Sequence, residues 1–340
     1  MNFRRVLTPF RLAVAGILVF VFATVLILTT TNAGGGEYLL VPDKAHPLAG
    51  LVNVPGARSN DRRGGIYYVD VIERRASLFD RLFPPNGSTV IEHNDLTPPG
   101  VSEEERIKAD RLDMELSQQV ATAVALRALG YKVRISETGV RVALVYGNTH
   151  ARGKLQPGDV IVAADGRPAH TAVQLHNLLG RHKVGDTVSL VFVRHGVRQH
   201  VDIVTSSDPL DPHHAIVGFQ PEPAIDFHMP FRIKFDLGGV GGPSAGLALA
   251  LQILEERGRD VDHGYKVAAT GTIAPDGTVG EIGAIQQKTV GARQAHVDAF
   301  LVPAGDNYRT ARKYAGALRI IPVMTFQQAL HALATLPPKH

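Results

Sequence analysis

Apolar and polar residues alternate over residues 231–237, which is typical of a half-buried strand. A glycine-rich stretch follows at residues 238–246, and after it comes a run to Arg257 that is apolar on nearly every face. Gly258 then stands where a helix C-terminal cap is expected. The pattern predicts a strand, a tight turn and a buried helix, with Ser244 at the start of that helix.

A hydroxyl at a helix N-terminus lies beside unpaired backbone N–H groups, which favour negative charge. An oxyanion that develops during acyl transfer would find donors there, and the backbone groups of Gly242 and Ala245 are the candidates. Serine is also a common N-cap residue, and most glycine-rich turns before helices catalyse nothing. Ser244 is therefore a candidate nucleophile that still needs a partner.

An uncharged apolar run over residues 12–31 is the second strong pattern, and three arginines precede it within residues 1–11. About twenty apolar residues are enough to cross a bilayer, and the next basic residue is Lys44. We predict a retained transmembrane anchor in the cell membrane. Residues 1–11 would form a cytoplasmic tail, and the bulk of the chain would lie outside the cytoplasm. The alternative is a cleaved signal peptide with a weak cleavage site near Ala33.

Residues 37–130 have the pattern of a mixed α/β region with short strands broken by Pro and Gly, of which residues 65–72 are the clearest. Ser102 and Glu105 have the spacing of a capping box, which predicts a helix that runs from there to Gly130. We assign no chemistry to this region, and we expect the charged face of the helix to be solvated.

Residues 131–205 predict a small β-rich domain with one short helix. Its segments 154–161, Asp165-Gly166 and 183–188 resemble a PDZ domain. The resemblance implies binding of an extended peptide as an added strand, with the peptide-binding loop near residues 130–133 by position. A purely structural spacer remains the alternative.

Prolines make residues 206–225 a predicted linker between domains. The linker contains the pair His213-His214 near Asp211, but no further ligand stands at a recognisable spacing, so we predict no metal site.

Composition narrows the possible functions. The chain has 340 residues, of which 44% are hydrophobic, so two or more domains with their own cores are expected. It has no cysteine, which excludes disulfides, thiol nucleophiles and cysteine-based zinc sites. The formal charge is +4 with the basic residues scattered, so nucleic acid is not an expected partner.

The best partner for Ser244 on physical grounds is Lys288, in the first turn of a predicted helix over residues 285–296. A lysine near a helix N-terminus loses its proton more readily, and burial would lower its pKa further. A neutral amine can then serve as general base for a serine hydroxyl. Lys234, Lys266 and Lys313 are the other candidates.

Three segments in order, residues 241–246, 269–273 and 280–288, are similar to the proteolytic domain of Lon-type serine proteases. The similarity runs from about residue 226 to 340 and implies a Ser–Lys dyad. It makes Ser244 the nucleophile and Lys288 the general base, and it suggests that Thr270 orients the lysine. Gly241 and Gln286 depart from residues frequent in that family, where Asp and Lys are common, but neither replaces a dyad member.

Taken together, the fold class we predict is multidomain: an N-terminal transmembrane helix, a mixed α/β N-terminal region, a β-rich PDZ-like domain and an α/β (α+β) Lon-type proteolytic domain. This order resembles the membrane-anchored, PDZ-containing Lon-like proteases of bacteria. The sequence has no phosphate-binding loop, so we expect an ATP-independent serine endopeptidase without a cofactor. Its partners would be protein or peptide substrates and the lipid bilayer, and by analogy with Lon relatives it could form a homo-oligomer.

Two other functions stay open at this point. One is a membrane-tethered peptide-binding scaffold whose protease-like domain is inert. The other is an α/β-hydrolase, because residues 242–246 fit the Gly-x-Ser-x-Gly nucleophile elbow. The hydrolase would need an acid such as Asp276 or Asp298 and a base such as His296 or His331.

Overall fold

The computed structural model describes residues 3–30, 36–57, 64–208 and 211–337. The helices in these ranges are α1 (Phe3–Thr30), α2 (Leu78–Leu82), α3 (His93–Leu96), α4 (Glu103–Ala128), α5 (Ala172–Leu179), α6 (Gly246–Glu256), α7 (Ile285–Gln294), α8 (Asp306–Tyr314) and α9 (Phe326–Ala334). The strands of the N-terminal region are β1 (Tyr38–Pro42), β2 (His46–Pro47), β3 (Val52–Asn53), β4 (Gly65–Tyr68), β5 (Val71–Arg75) and β6 (Thr89–Ile91).

The remaining strands fall into two groups along the chain. The first group is β7 (Arg134–Val145), β8 (Val160–Ala164), β9 (Arg167–Pro168), β10 (Thr187–Arg194), β11 (Val197–Val204), β12 (Ser206–Ser207), β13 (Ala215–Ile216) and β14 (Phe219–His228). The second is β15 (Lys234–Phe235), β16 (Lys266–Ala269), β17 (Thr272–Ile273), β18 (Val279–Gly280), β19 (Ala299–Pro303) and β20 (Arg319–Val323).

The predicted transmembrane anchor over residues 12–31 is wrong. Among the residues that the structure describes, no helix has both the length and the apolar character needed to cross a membrane. The predicted fold class therefore fails in its first element, and the predicted single-pass localisation fails with it. The alternative cleavage site near Ala33 lies outside the described residues.

A central sheet of order β2-β4-β16-β19-β20 carries the C-terminal part of the chain. Strands β4, β16, β19 and β20 run parallel, and Ile66 of β4 lies opposite Val267 of β16. The N-terminal region, to which the sequence assigned no chemistry, therefore supplies a strand to the sheet beside the predicted catalytic segments. Ile66 and Val267 are both fully buried in the core that this sheet shares with α6.

Helices α4 and α6 pack against each other, and both confirm their predicted patterns. Helix α6 is buried from Gly246 to Glu255, as its apolar sequence predicts. Helix α4 begins at a capping box in which the Ser102 hydroxyl accepts the N–H of Glu105. The charged first turn of α4 is exposed at Glu103 and Glu104, whereas its second half is buried from Val120 to Leu126 against α6 and its neighbours.

Strands β11-β10-β8-β7-β14 form the sheet of the β-rich domain, and α5 packs beside it. The predicted linker over residues 206–225 is wrong in secondary structure, because it contains β12, β13 and the first part of β14. Strand β14 pairs with β7 from Phe219 to His228, so the domain boundary predicted at residue 226 falls inside a strand. Prolines 221 and 223 suggested a linker, but β14 is an edge strand, where missing N–H groups are tolerated.

The observed strand β15 is shorter than the strand that the alternating pattern predicts over residues 231–237. Only Lys234 and Phe235 pair, with Asn53 and Val52 of β3, outside the central sheet. The glycine-rich stretch that carries Ser244 therefore does not follow a strand of the central sheet.

Candidate active site

Ser244 lies in a single 3-10 turn, Pro243–Ala245, that leads directly into α6. Gly242, the residue before this turn, has φ +78°, a left-handed conformation that favours glycine. Pro243 occupies the first position of the turn, where a backbone N–H would have no acceptor within the helix, so the lack of an N–H costs nothing there. The local sequence therefore places the hydroxyl of Ser244 at the entry to a buried helix, in the way the pattern predicts.

Lys288 lies on α7, in the first turn, and its side chain reaches the predicted nucleophile. Its Nζ donates a hydrogen bond of 2.5 Å to Oγ of Ser244. The residue is 6% exposed, and the helix begins after Ala284 in a left-handed conformation (φ +55°). The tertiary structure thus brings together two residues that are 44 positions apart in the sequence.

Burial sets the protonation of this lysine. The pKa of Lys288 is lowered from 10.5 to about 8, chiefly because the ammonium is removed from water, while the carboxylate of Asp70 opposes the shift. At neutral pH roughly a tenth of such a lysine is uncharged, and the fraction grows as the pH rises. A neutral amine 2.5 Å from a serine hydroxyl has the geometry of a general base.

Thr270 lies at the site and contacts the backbone of Ser244. Its hydroxyl donates to the backbone carbonyl of Ser244 at 3.2 Å, and the N–H of Gly271 donates to the same oxygen at 2.8 Å. The suggested role of Thr270 in orienting Lys288 stays a prediction beside this contact to the backbone of Ser244. Fixing that carbonyl restricts the turn that carries the Ser244 hydroxyl.

Helix α4 clamps the same turn from the other side. The N–H of Gly242 donates to the carbonyl of Asp110 at 2.8 Å, and the hydroxyl of Ser117 donates to the carbonyl of Pro243 at 3.0 Å. A Cβ on Gly246 would lie 2.9 Å from Oγ of Ser117, so glycine is needed for this close approach. Because the Gly242 N–H is occupied by Asp110, it is not available to a substrate oxyanion in this arrangement. Ala245 is buried, and its role as a donor stays a prediction.

Replacing Ser117 with alanine is expected to lower kcat for peptide hydrolysis about tenfold with little change in KM, because the catalytic turn loses one fixing hydrogen bond. Steady-state kinetics on a short fluorogenic peptide measures this effect. Glu115→Ala, an exposed substitution on the same helix, serves as the matched control and should leave both constants unchanged. A rise in KM alone would contradict the positioning role.

A cavity of about 860 Å³ opens over Ser244 and Lys288. Its walls include Asp70, Glu73 and Asp110, all from the N-terminal region. Sequence reasoning missed these residues and Ser117, because no local pattern marks a contact such as that of Ser117 with Pro243, 126 positions away. The sequence signal for this region was the capping box of α4, which predicted the position of the helix but not which of its faces contacts the site.

The alternative nucleophile elbow does not fit this geometry. An elbow serine follows a strand of the main sheet, whereas the turn of Ser244 follows β15, which pairs with β3 outside that sheet. The hydroxyl of Ser244 is bonded to Lys288, while His296 and His331 are exposed. The two carboxylates considered for the hydrolase accept hydrogen bonds from backbone groups. Asp276 accepts the N–H of Thr278, and Asp298 accepts the N–H of Lys266.

Two clusters among the described residues bring three potential ligand atoms within 4.8 Å of one another. One is Asp43, His46 and Asp70, beside the active-site cavity, and the other is Glu255, Asp260 and Asp262. In the second cluster, Glu255 already accepts the N–H groups of Val261 and Asp262, which identifies a structural role.

Comparison with known families assigns the two C-terminal segments. Residues 127–205 match the PDZ domain, and residues 226–335 match the Lon protease (S16) C-terminal proteolytic domain. The chain therefore contains a PDZ domain and a Lon-type proteolytic domain, as the sequence motifs indicate.

Three relatives that match parts of the chain illustrate the similarity. Lon protease 2 of Bacillus subtilis is 32% identical over 125 residues, which is 36% of this chain and 21% of that protein. Serine protease Do-like HtrA of Lactobacillus helveticus is 35% identical over 81 residues, 22% of this chain and 20% of that protein. A solved PDZ domain of an SdrC-like protein from Listeria monocytogenes is 24% identical and covers 26% of this chain and 92% of that domain, with a TM-score of 0.24. The chain thus spans about a fifth of the length of these two curated relatives.

Proposed function

We propose that this chain is a serine endopeptidase that works without ATP and uses Ser244 and Lys288 as its catalytic dyad. The observation that carries the proposal is the 2.5 Å hydrogen bond between Nζ of a buried lysine and Oγ of the serine. The match of residues 226–335 to a Lon-type proteolytic domain supports the same chemistry.

In this mechanism Oγ of Ser244 attacks the peptide carbonyl carbon while its proton passes to the neutral amine of Lys288. The resulting ammonium donates that proton to the leaving nitrogen when the C–N bond breaks. A water molecule then attacks the acyl-enzyme carbonyl while Lys288 accepts its proton, and Lys288 returns that proton to Oγ of Ser244 as the ester bond breaks. The N–H of Ala245 is the candidate donor to the oxyanion, and that of Gly242 joins it only after leaving Asp110.

The cavity over the dyad favours an extended, flexible substrate. Its wall is built from both the N-terminal region and the Lon-type domain, so a folded protein would have to present a loose segment to reach Ser244. The sequence lacks a phosphate-binding loop, and we propose that hydrolysis of unfolded or flexible chains needs no nucleotide.

The test is hydrolysis of fluorescently labelled casein by the full chain, with and without ATP and Mg²⁺, beside labelling with a serine-directed fluorophosphonate. We expect equal hydrolysis in both conditions and a single adduct that mass spectrometry locates at Ser244. A folded protein that neither cleaves casein nor reacts with the probe would favour the inert peptide-binding scaffold.

We further propose that the PDZ domain recruits substrate through an apolar groove of about 540 Å³ beside α5. Its other wall is the segment Ala215–Phe219, not the stretch near residues 130–133 that position suggested. Gly130 instead ends α4 with φ +84°, and Val133 packs in a separate cluster with Ala123 and Leu126. The groove has the dimensions of a site for an extended peptide.

Ile216→Glu is expected to raise KM for a protein substrate roughly tenfold and to leave kcat on a short peptide unchanged, since a charge on the apolar groove wall disfavours peptide docking. Val173→Glu is the matched control, because Val173 lies on the exposed side of α5. Kinetics on casein and on a short peptide separate recruitment from catalysis. Equal KM values for both variants on casein would contradict recruitment through this groove.

A further inference from the structure

We propose that Asp70, which lies outside the Lon-type segment, is a positioning residue that completes the dyad by holding the ammonium form of Lys288 next to Ser244. The proposal deepens the proposed peptidase function and rests on it. It assigns to the N-terminal region a direct part in setting the pH at which the enzyme works.

The register of the central sheet places Asp70 at the catalytic edge. Strand β4 is parallel to β16, with Tyr67 opposite Ala268. Asp70 follows the end of β4 by two residues, as Gly271 follows the end of β16. Carboxyl ends of neighbouring parallel strands lie at one edge of a sheet, so Asp70 comes out beside the Thr270–Gly271 step that holds the Ser244 carbonyl.

Asp70 and the dyad also share one cavity wall, in which Asp70 lies with Ser244 and Lys288. Its side chain is 26% exposed, but its Oδ1 atom is buried and has no hydrogen-bond partner. A buried carboxylate oxygen without a donor is costly, and a nearby cation compensates for it. The ammonium of Lys288 supplies that charge whenever the lysine is protonated.

The helix of Lys288 is fastened to the segment that flanks Asp70. The N–H of Ala45 donates to the carbonyl of Gly291, which lies one turn after Lys288 on α7. A Cβ on Gly291 would lie 1.8 Å from the carbonyl oxygen of Asp43, so only glycine permits this approach. The lysine and the carboxylate are therefore carried by parts of the chain that pack directly on each other.

Several charged or titratable groups surround this pair. Asp70 has Nε2 of His46 at 3.8 Å, and the same nitrogen lies 3.1 Å from Asp43. Burial raises the pKa of Asp70 and Asp43 raises it further, while His46 and Lys288 lower it. Burial likewise raises the pKa of Tyr68, with Asp70 and Asp43 adding to the effect.

The consequence for catalysis has a definite sign. Asp70 raises the pKa of Lys288, against the larger lowering by burial. Because the general base must be neutral, activity increases as the pH rises through the pKa of Lys288, near 8. Removing the negative charge at residue 70 therefore moves this increase to lower pH.

The experiment is the pH profile of kcat/KM, and of the rate of fluorophosphonate labelling, for the full chain and Asp70→Asn. We expect the midpoint of the rise to move down by about one pH unit in both measurements. Asp70→Glu keeps the charge and should restore the midpoint to within a few tenths of a unit. Glu73→Gln, at another carboxylate of the same cavity, is the matched control and should not move it.

An unchanged midpoint in Asp70→Asn, in a protein whose Ser244 still reacts with the probe, would overturn the role of Asp70 and leave the dyad intact. If Ser244→Ala retains full activity instead, the proposed function itself fails. Should Asp70→Asn not fold, the midpoint for Asp70→Glu decides, because a shift of more than about half a unit would contradict a purely electrostatic role.

Discussion

Lys288→Met is expected to lower kcat/KM for peptide hydrolysis by at least about 10³-fold, because Ser244 then lacks the group that takes its proton. Methionine retains much of the apolar stem of lysine and has no titratable amine. The measurement is the rate of casein hydrolysis between pH 6 and 10. We expect the residual activity to lose the rise near pH 8 that the wild-type lysine produces.

The same substitution is expected to stabilise the fold, which separates a catalytic role from a structural one. The pKa of Lys288 is about 8 in the folded chain and 10.5 when exposed, so the unfolded chain binds more protons between these values. Stability therefore rises with pH through this window, and below pH 8 the buried lysine costs about 3 kcal/mol. Chemical denaturation at pH 7 should show a gain of up to that size in Lys288→Met, and the gain should vanish above pH 10.5.

Lys234→Met, at an exposed lysine, is the control for both measurements and should change neither activity nor stability appreciably. Loss of stability in Lys288→Met at pH 7 would contradict the predicted gain. It would mean that interactions of the ammonium in the folded chain outweigh the free-energy cost of burying it. Retention of activity in that variant would transfer the role of general base to another group.

Ser244→Ala is the second substitution with a large expected effect. Without the nucleophile no acyl-enzyme forms, and we expect kcat to fall by at least about 10⁴-fold and labelling by the fluorophosphonate to disappear. The fold should be retained, because alanine keeps the backbone carbonyl of residue 244 that accepts from Thr270 and Gly271 and loses only the hydroxyl contact to Lys288.

Substrate binding by Ser244→Ala provides an internal check. A fluorescent peptide that occupies the cavity or the PDZ groove should bind the variant with an unchanged Kd, because neither site loses a wall. Ser136→Ala, at an exposed position of β7, is the matched control and should retain full activity. Residual hydrolysis in Ser244→Ala above about one part in a thousand would contradict the covalent mechanism.

Two predictions from the sequence, a linker over residues 206–225 and a membrane span over residues 12–31, are wrong. Residues 219–225 belong to an edge strand, where the missing N–H groups of Pro221 and Pro223 are tolerated, although composition predicted a linker. The apolar run over residues 12–31 met the length expected of a membrane span, but the described part of the chain contains no helix that qualifies.

The sequence alone determined the local chemistry of this protein. Glycine at residue 242, Pro243 and the apolar run of α6 encode the turn and the buried helix, because φ preferences and hydrophobic periodicity act over a few residues. The order of the three motif segments likewise predicted a Ser–Lys dyad and a Lon-type segment, and residues 226–335 match that family.

Only the tertiary structure decided what surrounds the dyad. Strand β4 joins the sheet beside β16, α4 binds the backbone around Ser244, and Asp70 comes to the edge where Lys288 lies. These contacts join residues more than a hundred positions apart and depend on strand order and helix packing, which leave no periodic trace in the sequence. The protonation of Lys288 was decided in the same way, because desolvation is a property of the packed interior and not of a sequence motif.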